Sequence, residues 1–348
     1  MDRPTLLDLN YEELAARLAV LGEPAYRTDQ VWRAIYRNHA LSYNSITTLP
    51  AKLRTRLADD LPLTPLQEIR ALDSADGSTR KILTRLADGE TIETVLMTYD
   101  ARSTVCVSTQ VGCAMGCALC ATGRSGFTRD LSMGEIVAQV LRSAAWFANR
   151  GTRLSNVVYM GMGEPLANYD STLESVRRLN DPRGLGLGAR SFTISTVGII
   201  PAIDRLAGEG LQVNLAVSLH AAEDDLRSTL VPVNRRYPLR GLIGACRRYA
   251  DATHRRITFE IALIDGINDA DAHARQTATL LRGLLCHVNL IPLNAVEGLP
   301  WRGSPPERVE AFRALLERAH IPVTVRKNMG ADIQAACGQL RARNEDLT

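Results

Sequence analysis

The chain has 348 residues, of which 45% are hydrophobic and 23% are charged, and its formal net charge at pH 7 is +3. This length suits one large α/β domain with a small accessory domain, and the apolar runs are too short to span a bilayer. A net charge of +3 does not demand a nucleic-acid partner, and paired basic residues such as Arg177 and Arg178 permit RNA binding without showing it.

Helical patterns dominate the first 70 residues, where the clearest lie at 11–21 and 28–38. They predict a small helical module at the start of the chain. Arg33 and Arg37 are four positions apart on the second helix. Solvation of a helix face explains this spacing as well as an RNA-facing surface does.

A hairpin is predicted between this module and the rest of the chain. Two strand-like runs at 81–86 and 90–97 are separated by Asp88 and Gly89, and an Asp-Gly pair between such runs is a strong turn signal. The sequence therefore predicts a small β extension that joins the two parts.

From about residue 103, β-branched runs alternate with helical patterns, which is typical of βαβ units. Ser132 and Glu135 form a capping box before a helix predicted at 133–149. Polar and glycine residues gather where the strands end, as they do at the sites of parallel sheets and barrels. The predicted strands are 104–110, 156–160, 191–197, 213–219, 257–263 and 287–293, with an edge strand at 323–326. The other predicted helices are 171–180, 239–252, 270–284 and 306–318.

Three cysteines follow the first of these strands with the spacing CxxxCxxC, namely Cys113, Cys117 and Cys120. Three thiolates can bind three irons of a 4Fe-4S cluster and leave the fourth iron open to a small molecule. Structural zinc sites are the main alternative, but they usually use two cysteine pairs or add histidine, and no histidine lies near this run. A disulfide framework is weaker still, because the seven cysteines are odd in number and we find no secretory signal. We therefore expect a cytoplasmic protein.

Short motifs surround these cysteines and are together much more specific than the cysteine spacing alone. They occupy residues 106–123, 161–168, 195–198, 218–220, 289–294 and 335–340. With them the chain resembles the radical S-adenosylmethionine (SAM) superfamily, and within it the RlmN/Cfr family of RNA adenine methyltransferases. The resemblance covers nearly the whole chain.

The resemblance implies an α/β fold, a partial (β/α)6 TIM-like radical SAM barrel with a small N-terminal helical domain and a β-hairpin extension. We expect four parts along the chain. They are an RNA-binding helical domain at 1–72, a β extension or linker at 73–102, the barrel at 103–326 and a segment with a catalytic cysteine at 327–348.

The resemblance also implies the cofactors. Cys113, Cys117 and Cys120 would ligate a 4Fe-4S cluster whose open iron chelates the amino and carboxylate groups of SAM, and an electron from the cluster would split SAM to give a 5′-deoxyadenosyl radical. Gly163 and Glu164 match the family's contact to the SAM amino group, where a glycine permits close approach and a carboxylate accepts from an ammonium. The other positions that match family contacts to SAM are Ser195, Ser218, Leu219, His220 and Asn294.

Two further thiols and one glutamate take catalytic roles by the same resemblance. Cys337 would accept a methyl group from one SAM and become S-methylcysteine, and the radical from a second SAM would remove hydrogen from that methyl. Cys106 would then attack the Cys337 sulfur and release the product, which leaves a transient disulfide. Glu93, on the β extension, matches the family's proton acceptor. Cys246 and Cys286 are interpreted as buried structural thiols.

The implied substrates are an adenosine of 23S rRNA and an adenosine of tRNA in the position-37 region, both methylated at adenine C2. The implied setting is a monomer without membrane contact that receives electrons from a donor such as flavodoxin. Methylation at adenine C8 of 23S rRNA, as in Cfr, is the alternative, because both reactions use the same catalytic residues. Met329 and Ala331 make the loop before Cys337 less polar than the charged stretch usual in C2 members.

Two other classes of protein stay open from the residues alone. A zinc-stabilised RNA-binding protein would use the three cysteines without binding SAM. A radical SAM enzyme that acts on a small molecule or a protein would bind the cluster but would not need Cys337.

Overall fold

The computed structural model describes residues 5–63, 66–296, 298–326 and 329–340. Its first part is a helical module whose apolar faces pack around the buried Trp32. Asn10 begins the first helix as a capping box, because its side chain accepts from the Glu13 backbone and the Glu13 side chain accepts from the Asn10 backbone. The two predicted helices are confirmed and a third follows them. The three helices are α1 (Tyr11–Val20), α2 (Tyr26–Tyr36) and α3 (Ala51–Asp60).

A ten-stranded sheet forms the centre of the rest of the chain. Its strands are ordered β1-β2-β3-β4-β7-β8-β9-β10-β11-β12. The first four are antiparallel neighbours, which makes β1–β3 an extension, and every pair from β4 onward is parallel. The strands are β1 (Gln67–Asp73), β2 (Thr79–Arg85), β3 (Thr91–Tyr99), β4 (Arg102–Cys106), β7 (Asn156–Tyr159), β8 (Phe192–Thr196), β9 (Asn214–Ser218), β10 (Ile257–Leu263), β11 (Cys286–Pro292) and β12 (Val323–Val325).

Helices connect the parallel strands, as the βαβ pattern predicts. The longest, α5, begins with the predicted capping box of Ser132 and Glu135. Among the described residues no helix is both long and apolar enough to cross a membrane. The helices are α4 (Ala121–Arg124), α5 (Met133–Ala148), α6 (Tyr169–Asn180), α7 (Ile200–Ala207), α8 (Asp224–Leu230), α9 (Leu239–Thr253), α10 (Asp271–Leu280) and α11 (Pro306–Arg318).

The chain therefore folds as an α/β partial barrel with a helical module and a β extension, which confirms the predicted fold class. One predicted strand is divided: β4 ends at Cys106, and Gln110 begins β5 (Gln110–Gly112) of a separate two-stranded sheet with β6 (Phe127–Asp130). The backbone N–H groups of Thr109 and Gln110 both donate to the Met162 carbonyl, so the chain turns out of the main sheet there.

The helical module is fixed to the barrel at the start of α5. Asp8 Oδ1 accepts hydrogen bonds from Ser132 Oγ at 2.8 Å and from the Gly134 backbone at 2.9 Å. A Cβ at Gly134 would lie 2.4 Å from that oxygen, so the close approach requires glycine. On α6, the Arg178 guanidinium donates to the Leu9 carbonyl. The apolar cores of module and barrel are continuous, and the predicted domain boundaries stay a prediction.

Candidate active site

The three cysteines of the CxxxCxxC run lie on the loop between β5 and α4 and line one open cleft of about 970 Å³ at the carboxyl ends of the parallel strands. Cys113 and Cys117 are buried and Cys120 is partly buried. Burial raises the pKa of the Cys113 thiol to about 12, and it also raises that of Cys117, where the negative charges of Cys120 and Cys113 add to it. A bound cation would favour the thiolate forms of these cysteines, because opposite charge nearby lowers the pKa of a thiol.

Two kinds of metal group are candidates for these thiols. Structural zinc sites use four ligands that converge on one atom. In an iron–sulfur cluster each thiolate binds a different iron, so the thiols on this loop fit that group.

Glu164 follows β7 and lines the same cleft. Its carboxylate accepts from the backbone N–H groups of Val197 at 2.9 Å and Leu166 at 3.0 Å. Burial raises the pKa of Glu164 to about 7, against the opposing effect of these hydrogen bonds. A cationic ligand group in the cleft would favour the charged form of this carboxylate.

Gly163 also lines the cleft, and the protein itself requires a residue without a side chain there. Its φ is +102°, and a Cβ there would lie 2.6 Å from the Gln110 Cβ. Gln110 in turn accepts from the Glu164 backbone at 2.9 Å and donates to Asp130 at 2.7 Å. Gln110 is therefore a positioning residue that the sequence motif alone did not reveal.

Four of the predicted SAM contacts at strand ends line the cleft, and Leu219 does not. Leu219 is fully buried in the main core. His220 accepts at Nδ1 from the Ala262 backbone at 3.0 Å, which leaves its proton on Nε2. Burial lowers the pKa of His220 to about 3, so the ring is neutral at physiological pH. The four lining residues are Ser195, Ser218, His220 and Asn294.

The ends of β8 and β9 are held by Arg227, which is fully buried on α8. Its guanidinium donates to the carbonyls of Val197 at 2.7 Å, Ser218 at 3.0 Å and Leu219 at 3.1 Å. Burial lowers its pKa to about 10. These contacts fix the loops that carry the candidate ligand contacts.

Two charged residues that the sequence did not identify as functional also line the cleft, Glu260 on β10 and Arg326 after β12. Arg326 Nη1 lies 3.6 Å from Glu260 Oε2, too far for a hydrogen bond. Glu260 Oε2 and Asn294 Oδ1 are buried without a hydrogen-bond partner among the described residues. Buried acceptors without a hydrogen bond, on residues that line a cleft, fit a polar ligand with several donors, as SAM is. A lone acid in the apolar run of β10 was the only sequence signal for Glu260.

A second cleft, of about 700 Å³, adjoins the first and contains the two predicted catalytic thiols. Cys106 at the end of β4 is buried and Cys337 on the tail is exposed. Cys337, Asn294 and Arg326 line both clefts. All seven cysteines are free thiols, and Cys246 and Cys286 are buried away from either cleft, as expected for structural thiols.

The tail that carries Cys337 is docked on α4, the helix that directly follows the three cysteines. The Ala121 backbone donates to the Gly338 carbonyl at 2.8 Å, and Thr122 Oγ1 donates to the Leu340 carbonyl at 2.6 Å. Asn294 Nδ2 donates to the Cys337 carbonyl at 3.1 Å. The exposed thiol is thus held beside the cleft of the three cysteines by its own backbone.

Glu93 lies outside both clefts, although it is buried with 3% of its surface exposed. It lines a separate groove of about 840 Å³ between the β extension and the tail. Its partner is Lys81, whose Nζ lies 2.9 Å from Glu93 Oε1. Two residues further along β3, Val95 is paired with Cys106, so Glu93 shares a sheet face with that thiol.

Known proteins resemble the chain over its whole length. Residues 107–277 match the model of the radical SAM superfamily, and residues 5–62 match that of the ribosomal RNA large subunit methyltransferase N-terminal domain. A probable dual-specificity RNA methyltransferase RlmN of Chloroflexus aurantiacus is 50% identical, over 99% of this chain and 94% of that protein. The Moorella thermoacetica protein of the same description is 48% identical, over 100% and 99%. A crystal structure of a radical SAM methyltransferase from Sphaerobacter thermophilus superposes with a TM-score of 0.96 at 55% identity, over 98% and 100%.

Proposed function

Because the chain belongs to the RlmN family of radical SAM RNA methyltransferases, we propose that it methylates C2 of an adenosine in 23S rRNA and of an adenosine in the position-37 region of tRNA. The observation that carries this proposal is the position of Cys106 and Cys337 in one cleft that adjoins the cleft of Cys113, Cys117 and Cys120. A radical SAM enzyme for small molecules would not need this pair of thiols. The C8 alternative receives no support from the relatives, which are described as RlmN.

In the proposed reaction, Cys113, Cys117 and Cys120 would hold a 4Fe-4S cluster, and the cluster would supply the site where SAM binds and the electron that cleaves it to a 5′-deoxyadenosyl radical. Glu164 accepts from the SAM ammonium, and Ser195, Ser218, His220 and Asn294 orient the rest of the molecule. These side chains surround the first cleft.

Cys337 is the methyl acceptor. Its sulfur attacks the methyl carbon of one SAM, and S-adenosylhomocysteine leaves. The 5′-deoxyadenosyl radical from a second SAM removes one hydrogen atom from the new S-methyl group, and the resulting methylene radical adds to the adenine carbon. Exposure of Cys337 at the border of both clefts supports this role, because its sulfur must face SAM and RNA in turn.

Cys106 and Glu93 complete the reaction in this proposal. Glu93 takes the proton that leaves the adenine carbon, and the Cys106 sulfur attacks the Cys337 sulfur, which breaks the bond between Cys337 and the methylene carbon. The methylene carbon takes up the proton that the Cys106 thiol gives up and becomes the methyl group, and the unpaired electron left by the radical addition would pass back to the cluster. The products are methyladenosine and a Cys106–Cys337 disulfide, which two electrons and two protons return to thiols. We infer a cytoplasmic monomer supplied by a flavodoxin-type donor.

The test is mass spectrometry of nucleosides from unmodified rRNA and tRNA after incubation with reconstituted enzyme, SAM and a reductant. We expect 2-methyladenosine. Finding 8-methyladenosine would assign the C8 reaction instead, and finding neither nucleoside would contradict the proposed function.

Cys337→Ala separates methyl transfer from radical formation. We expect no methyladenosine, while 5′-deoxyadenosine still forms, because the cluster ligands are unchanged. Cys286→Ala is the matched control, since it removes a buried thiol outside both clefts, and it should methylate as the native enzyme does. Methylation by the Cys337→Ala enzyme would contradict the S-methylcysteine route.

A further inference from the structure

The Lys81 ammonium lies between Glu93 and the tail that carries Cys337. Its Nζ is 2.9 Å from Glu93 Oε1 and donates to the Gln334 carbonyl at 3.3 Å. The Lys81 and Glu93 side chains are 11% and 4% exposed, so the pair is largely withdrawn from solvent. One cation therefore contacts both the carboxylate of the β extension and the main chain just before the nucleophile.

The strand register explains why Lys81 can reach both partners. Lys81 on β2 is paired with Val95 on β3, and Val95 is paired with Cys106 on β4. Paired residues of neighbouring strands point to the same face of a sheet, and so does Glu93, two residues from Val95. Lys81, Glu93 and Cys106 therefore share the face that the tail covers.

A second contact fixes the tail at the same place. Asp332 Oδ2 accepts from the Ala75 backbone at 2.9 Å, at the turn between β1 and β2. Asp332 and Gln334 line the groove that also contains Lys81 and Glu93. Of these two contacts between tail and β extension, the one made by Lys81 also includes Glu93.

Stability alone is a poor explanation for this pair. Burying two charges removes their hydration, and replacing such a pair with apolar side chains is often neutral or stabilising. A buried ammonium can orient a carboxylate and hold a neighbouring main chain beside it, which an apolar side chain cannot do. The pair is therefore better explained by the positions that Lys81 gives to the Glu93 carboxylate and to the tail.

We propose that Lys81 is a positioning residue, which orients the Glu93 carboxylate and ties it to the tail so that proton acceptor and Cys337 meet the same adenine. This inference rests on the proposed function. After Cys337 has been joined to the base through the methylene group, the adenine carbon must lose its hydrogen as a proton to Glu93. If Glu93 is misplaced, the proton stays on the adenine carbon, and Cys337 remains joined to the RNA through the methylene group.

The test compares Lys81→Met with Lys81→Arg. Lys81→Met should lower the rate of methyladenosine formation at least about tenfold, while the methyl load on Cys337 stays within about twofold of native. A covalent protein–RNA species should accumulate on denaturing gels. Lys81→Arg should recover much of the rate, since a guanidinium can donate to both Glu93 and Gln334. Combining Lys81→Met with Glu93→Gln should slow the enzyme no further than Glu93→Gln alone.

Arg80→Met is the matched control. Arg80 is next to Lys81 on β2, so its side chain lies on the other face of the strand, where it pairs with Asp73 at 2.7 Å. The Arg80→Met variant should form methyladenosine at a rate within about twofold of native. The inference is overturned if Lys81→Met is as fast as native, or if Lys81→Arg is as slow as Lys81→Met and no covalent species accumulates.

Hydrogen exchange of the tail tests the contact between Lys81 and the Gln334 carbonyl, here called the tether, and does not require the enzyme to react. Amides of residues 331–336 should exchange faster in Lys81→Met than in native enzyme and in Lys81→Arg, and unchanged exchange would overturn the tether. If the native enzyme forms no methyladenosine, the proposed function is refuted. The tether is still tested in that case, because the exchange result does not depend on the reaction.

Discussion

Two thiols in one cleft differ at the residue scale in their access to solvent. Burial raises the pKa of Cys106 to about 12, and the negative charge of Cys337 adds to this effect. Cys337 is exposed on the tail. A buried thiol that stays protonated is a poor nucleophile, so Cys337 is the more reactive of the two thiols in the free enzyme. The proposed reaction, in which Cys337 acts first and Cys106 last, agrees with this order.

Alkylation measures this difference. At pH 7.5 iodoacetamide should modify the Cys337 peptide at least about tenfold faster than the Cys106 peptide. Between pH 7 and 9 the rate at Cys106 should rise about tenfold per pH unit, because the thiolate fraction grows by that factor while the pH is below the pKa. Unfolded protein, in which both peptides react alike, is the control. Equal rates in the folded enzyme would contradict the environment of Cys106.

Residues close together in sequence were the easiest to predict. The spacing of Cys113, Cys117 and Cys120 is local, so it could be recognised before any fold was known. The positions of Glu260 and Arg326 depend on the pairing of the neighbouring strands β10, β11 and β12. Long-range pairing, which no spacing encodes, brings such residues to the site.

At the scale of elements, the predicted parts are those with strong local signals. The Asp88-Gly89 pair predicted the β2–β3 hairpin, and Ser132 predicted the start of α5. The structure adds β1, whose residues are mostly exposed and lack an alternating pattern. It also adds the short helices α7 and α8, which have two turns each and little room for a helical period.

Capping of α5 by the helical module can be tested with Asp8→Ala. The change removes the acceptor for Ser132 Oγ and the Gly134 backbone, and it should lower the free energy of unfolding by about 1–2 kcal/mol. Denaturant unfolding would measure this. Asp251→Ala, which removes an exposed acid on α9, should change it by less than about 0.5 kcal/mol. Equal effects of the two changes would show that the contact does not hold the module.

For the whole molecule, the net charge says little about RNA binding, whereas the distribution of exposed basic residues indicates which surface could bind RNA. Arg33 on α2 and Lys52 on α3 are exposed on the helical module, away from its buried core. The continuous core between module and barrel makes the module a fixed platform rather than a tethered domain. A fixed platform can align an RNA with the clefts.

Charge reversal at both positions tests this surface. The double variant Arg33→Glu with Lys52→Glu should weaken RNA binding and lower the slope of log affinity against log salt by about one to two. Cleavage of SAM without RNA should not change. Arg240→Glu, an exposed position on α9, is the control and should bind as native. Equal losses in both proteins would contradict a specific role of the module.

Docking of the tail on α4, directly after the three cysteines, has a consequence for the order of synthesis. Thr122 Oγ1 donates a hydrogen bond to the Leu340 carbonyl although 218 positions separate the two residues. Chains fold largely from the N-terminal side as they leave the ribosome, so the barrel strands can form before the tail exists. Cys337, the proposed methyl acceptor, reaches its place only after residue 340 has been made. A nascent chain therefore cannot begin methyl transfer, even where its cysteine loop is already folded.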